Sequence, residues 1–74
     1  MSDRLPRLTA AQVEKVLKAN GFDLIGQKGS HRKWWHPERK VIVVVPEHAG
    51  KTLPIGTMRQ IVRISGVDKN AWRS

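Results

Sequence analysis

The chain has 74 residues, enough for one domain and too few for a second core, and a domain of this size buries only about 60% of the surface its unfolded form exposes. Fourteen lysines and arginines against six carboxylates give a net charge of +8 and an isoelectric point near 11.0, a balance that favours a polyanionic partner, nucleic acid first among them. At 39% hydrophobic residues and a mean hydropathy of −0.45 the composition is not that of a disordered or membrane-spanning chain, and the absence of cysteine excludes disulfides and thiolate metal sites and fits the cytoplasm.

Residues 1–74 read as a single domain, with a basic arm over about 1–7 and a short tail over about 67–74. No signal-peptide pattern opens it, because Arg4 and Arg7 are followed by an amphipathic segment and not an apolar block. Thr9 with Gln12 three residues later makes a capping box, and Leu8 with Val13 a hydrophobic staple across it. Val13, Val16 and Leu17 then recur at helical spacing until Asn20-Gly21, which predicts a helix over about 10–20. Phe22 to Gln27 alternates as a short strand, Lys28-Gly29-Ser30 is a hairpin turn, and His31 to His36 is a second strand. Its alternation sends Trp34 and Trp35 to opposite faces. Pro37 to Lys40 turns the chain again. Val41 to Val45 is a β-branched run closed by Pro46, and its unbroken apolarity predicts a central strand or one partly covered on both faces. After the loop Glu47 to Thr52, Leu53-Pro54 opens a second helix with Ile55, Met58, Ile61, Val62 and Ser65 on one stripe and Gly66 as its stop. Asp68 can cap a last short turn that docks Trp72 on the core. The predicted fold is α+β: helix, three-stranded antiparallel sheet, helix, with both helices on one sheet face, an order that resembles the double-stranded-RNA-binding domain.

Chemistry concentrates in Lys28 to Pro37. His31 after Gly-Ser is either a surface histidine without a task or a proton acceptor beside a bound phosphodiester, with Lys28, Arg32 and Lys33 to hold the phosphate. Gly29 supplies the turn's positive φ and also lets a phosphate approach the backbone, while Ser30 closes the turn or hydrogen-bonds that phosphate. One tryptophan at most is free to stack on a base. A metal site is not expected from His31, His36 and His48, since no cysteine, no His-Glu-x-x-His and no short-spaced carboxylate completes a ligand set. Gly50-Lys51-Thr52 lacks the first glycine of a phosphate-binding loop, whose place Val45 occupies.

Three segments in order resemble one family. Gly29-Ser30-His31 with an aromatic three places on at Trp34, the strand ending Val43-Val44-Val45-Pro46-Glu47-His48, and the run Gly56-Thr57-Met58-Arg59-Gln60-Ile61 ending at Ser65-Gly66-Val67 are similar to the HicA toxins of bacterial toxin–antitoxin pairs. The register holds from about Thr9 to Val67, while the doubled tryptophan and the tail depart from the family pattern. The resemblance implies a metal-independent endoribonuclease that cleaves mRNA, needs no cofactor, and is neutralised by a HicB-type antitoxin through which it would oligomerise. It also implies that His31 is the catalytic histidine. The chain's own candidates for the second acid–base group are His48, His36, Ser30, a lysine or water, with His48 preferred. RNA contacts would fall to Lys28, Gly29, Ser30, Arg32 and Lys33. The alternative from the residues alone is a non-catalytic RNA- or DNA-binding module using the same basic face, or an interaction protein with an acidic partner.

Overall fold

The computed structural model describes residues 5–73 and arranges them as helix, three strands, helix and a closing 3₁₀ turn. Helix α1 spans Ala10–Ala19 and starts at the predicted box: Gln12 N–H donates to Thr9 Oγ1 at 3.3 Å and Thr9 N–H to Gln12 Oε1 at 2.9 Å. Two amides that the helix leaves without partners are thereby satisfied. The helix ends in a Schellman arrangement, with Gly21 N–H donating to Lys18 O at 3.3 Å and Phe22 N–H to Leu17 O at 3.0 Å. Phe22 therefore belongs to the helix terminus and the core rather than to a strand, and the first strand starts one residue later than its alternation suggests.

Strands β1 (Asp23–Lys28), β2 (His31–His36) and β3 (Val41–Pro46) form an antiparallel meander in sheet order β1-β2-β3. Of the two positions the valine run allowed, central or partly covered on both faces, it does not take the central one. Tight turns join consecutive strands, so the middle strand of the chain is also the middle of the sheet, and β3 lies at an edge. Val43 and Val45 are buried in the core, whereas Ile42 and Val44 on the other face remain 46% and 41% exposed. A bulge between Leu24 and Gly26 shifts the register of β1.

Helix α2 spans Ile55–Ser65 and stops at Gly66, whose φ of +68° is left-handed. Arg39, from the β2–β3 turn, donates from Nη1 to Ser65 O at 2.7 Å and brings its charge to the negative end of this helix. Met58, Ile61, Val62 and Ser65 face inward as the stripe predicts; Ile55 does not, being 40% exposed in the first turn. Both helices cover one face of the sheet, and their side chains meet Trp34, Val43 and Val45 in a single core. Asp68 caps the 3₁₀ turn Lys69–Trp72, accepting from Asn70 N–H at 2.8 Å, and Trp72 closes the core at 1% exposure. Of the arm expected over about 1–7, residues 1–4 lie outside the described residues, while Leu5 packs against the core.

One polar contact fastens α1 to β2. The Glu14 carboxylate accepts from Trp34 Nε1 at 2.8 Å through one oxygen and from Arg32 Nη1 at 3.1 Å through the other. Removing it would leave a buried indole N–H and a partly covered guanidinium without an acceptor, a loss of about 1–3 kcal/mol. Glu14→Ala should therefore lower the melting temperature by roughly 4–8 °C for each kcal/mol lost, measured by thermal and urea denaturation, with Glu14→Gln intermediate.

Candidate functional site

The site grows from the β1–β2 turn. Gly29 has φ +60° and Ser30 a negative φ, the sign pattern of a type II′ turn, whose twist matches that of the strands it joins. Gln27 Nε2 donates to Gly29 O at 3.1 Å, and Glu47 N–H donates to Ser30 O at 2.8 Å, latching the end of β3 to the same turn. Lys28 and His31 face each other as the pair that closes the turn, and Pro46 flanks His31 from the other side.

Alternation along β2 then sorts the candidate residues. His31, Lys33 and Trp35 point away from the helices; Arg32, Trp34 and His36 point toward them. Lys28 shares the outer face with His31 because the two are register partners. Among the described residues, the side chains of Lys28, His31 and Lys33 make no hydrogen bond or ion pair. The turn thus presents an exposed imidazole between two free cations. His31 also lines a shallow groove of about 340 Å³ along the edge of β3, walled by Ile42, Val44, Pro46 and Ile64, with Thr57 and Gln60 supplying polar groups from α2.

Arg32 is not brought to this cluster. It lies on the inner side of β2, tied to Glu14 at 3.1 Å, so the cation next to His31 in the chain is on the opposite face of the sheet. Trp34 is buried at 6% exposure. His36 is buried too: its Nδ1 accepts from Arg39 N–H at 3.0 Å, which puts the proton of the neutral ring on Nε2, and it stands edge-on to Phe22 with ring centres 5.0 Å apart. A Cβ on Gly21 would come within 3.0 Å of His36 Nε2, so that glycine makes room for the ring. His48 is exposed in the loop after β3, two residues beyond Pro46 and one beyond the Glu47 amide that reaches Ser30. That latch brings the loop to the same corner as the turn. Among the described residues no three His, Asp or Glu side chains gather where they could hold a metal ion.

The opposite faces expected of Trp34 and Trp35 are observed, with Trp34 inward and Trp35 outward. One feature of this face goes beyond the sequence: the groove beside His31, which needs the relative placement of β3 and α2.

The matching family model settles the affiliation. The model for the HicA toxin of bacterial toxin–antitoxin systems matches residues 10–67, which takes in both helices and all three strands. The chain belongs to the HicA toxin family. No individual curated protein matches it. Membership makes it a toxin with a cognate antitoxin as partner. None of the helices among the described residues is long and apolar enough to cross a membrane.

The turn that presents His31 should tolerate little at Gly29. A Cβ there meets nothing within 4 Å, so Gly29→Ala is penalised by its left-handed φ alone, by about 1–2 kcal/mol, and should show a lowered denaturation midpoint without a rearranged core.

Proposed function

We propose that this HicA-family toxin is a metal-independent endoribonuclease that cleaves mRNA, with His31 as general base. His31 takes the proton from a ribose 2′-hydroxyl. The 2′-oxygen then bonds to the adjacent phosphorus, and the bond from phosphorus to the 5′-oxygen breaks. The products are a 2′,3′-cyclic phosphate and a 5′-hydroxyl, the latter needing one proton. Water, the nucleophile in ordinary hydrolysis, is not required for this step, because RNA carries its own.

The observation that supports this reading best is the exposed imidazole set between Lys28 and Lys33 on one sheet face, with both cations unpaired among the described residues. The lysines neutralise the phosphate, which otherwise repels the incoming oxyanion. Ser30 hydrogen-bonds it, and the small Gly29 lets it approach the backbone. Arg32 has its charge satisfied by Glu14 on the far side and takes a structural part instead. The leaving oxygen receives its proton from His48, whose loop is held to the turn by the Glu47–Ser30 hydrogen bond. A HicB-type antitoxin inhibits by bringing carboxylates to Lys28 and Lys33 and covering His31.

His31→Ala should keep the fold and the charge-driven RNA affinity while cleavage falls by about 10²- to 10⁴-fold and growth arrest is lost. Unchanged cleavage by that variant would remove His31 from the role of general base, and RNA left intact by the wild type would leave only a non-catalytic binding module. His48→Ala should regain much of its lost rate on RNA with a 5′-thio leaving group, which departs without a proton, whereas His31→Ala should not; equal behaviour of the two would remove His48 from the acid role. In titrations of RNA binding against salt, Lys28→Ala and Lys33→Ala should each reduce the slope of log K by about 0.7, while Arg32→Ala lowers stability and leaves that slope unchanged.

A further inference from the structure

The three tryptophans have separate fates. Trp34 and Trp72 fill the core at 6% and 1% exposure, the ordinary place for large aromatics in a small domain. Trp35 is half-buried on the outer face of the central strand, with Asp23 and Ile42 as its register partners, and its Nε1–H has no hydrogen-bond partner among the described residues. Core packing does not account for it. What shares its face does. His31, Lys33 and Trp35 follow one another at every second residue of β2, steps of roughly 6.6 Å, so the backbone positions that carry the indole and the imidazole are about 13 Å apart with a lysine between.

A single strand of nucleic acid needs this alternation of cation and aromatic plane, with phosphates held by charge and bases by stacking. The floor between the two ends is open: Gly26 is the β1 partner of Lys33, and a Cβ built on it meets nothing within 4 Å. Asp23 sets the orientation. Its carboxylate, opposite Trp35 on β1, repels phosphate at that end of the row, so the backbone stays over Lys33 and a base turns toward the indole. We infer that Trp35 is a base-stacking subsite, where the base of a nucleotide flanking the scissile phosphate lies against the indole and fixes the strand relative to His31. The aromatic plane gives binding with little discrimination among the four bases, because every base has a π-face. The inference rests on the proposed nuclease reading only for where the scissile bond lies; the stacking site itself requires RNA binding and not cleavage.

The test separates the two. Binding is measured with His31→Ala protein, so that RNA is not consumed, using a short oligoribonucleotide and a series in which each nucleotide in turn is abasic. One abasic position should weaken binding by about 5- to 150-fold more than the others. Adding Trp35→Leu, which keeps an apolar side chain on the strand but no aromatic plane, should abolish that difference and bind intact RNA as weakly as the parent binds the critical abasic RNA. Trp35→Phe should keep most of the difference and controls for folding. A positional pattern that survives Trp35→Leu overturns the inference, as does a Trp35→Leu variant that loses antitoxin affinity and leaves RNA binding untouched. If His31→Ala does not impair cleavage but the Trp35-dependent pattern holds, the catalytic assignment fails and the stacking site stands.

Discussion

The structure depends on one constraint, the period-two alternation of β2, the central strand. Its six residues divide into three that build the domain and three that face outward. Inward, Arg32 and Trp34 reach Glu14 of the first helix, and His36 packs against Phe22 and accepts the turn amide of Arg39. Outward, His31, Lys33 and Trp35 form a line on the open face. A one-residue slip would exchange the two sets, burying a lysine and releasing the helix clamp. The same contacts that give this small domain its stability therefore also fix which side chains are available to a ligand.

The distribution of charge follows from that division. A net charge of +8 makes the whole chain attractive to a polyanion, but only cations without partners on the right face can serve a site. Arg32 is spent on Glu14 and Arg39 on the carboxyl end of the second helix. Lys28 and Lys33 keep their charge free among the described residues and flank the histidine. On the β3 side the outer face turns apolar through Ile42 and Val44, and the groove beside His31 runs along that edge between β3 and α2. The site thus has a basic half and an apolar half meeting at one imidazole.

Local patterns were legible in the sequence. The Thr9–Gln12 capping box, the Gly66 stop and the bounds of β2 follow from spacings of a few residues, which the chain states directly. The histidine on the hairpin was legible for the same reason. What escaped depends on distant partners. Glu14 reads as a surface residue of an amphipathic helix, and only tertiary packing, 18 and 20 residues along the chain, makes it the clamp for Arg32 and Trp34. The edge position of β3 was masked by its valines, whose unbroken run resembles a buried strand although half of it meets solvent. Arg32 is a subtler case: it adjoins His31 in the chain, yet the parity that buries Trp34 carries Arg32 to the helix side, where it pairs with Glu14.

The central claim is that an outward-facing imidazole between two unpaired lysines performs transesterification on RNA. End-group analysis of RNA incubated in chelator with wild-type protein and with His31→Ala tests it most directly. The account predicts 2′,3′-cyclic phosphate and 5′-hydroxyl ends from the wild type and intact RNA from the variant. Linear 5′-phosphate ends, or cyclic ends produced equally by both proteins, would contradict it.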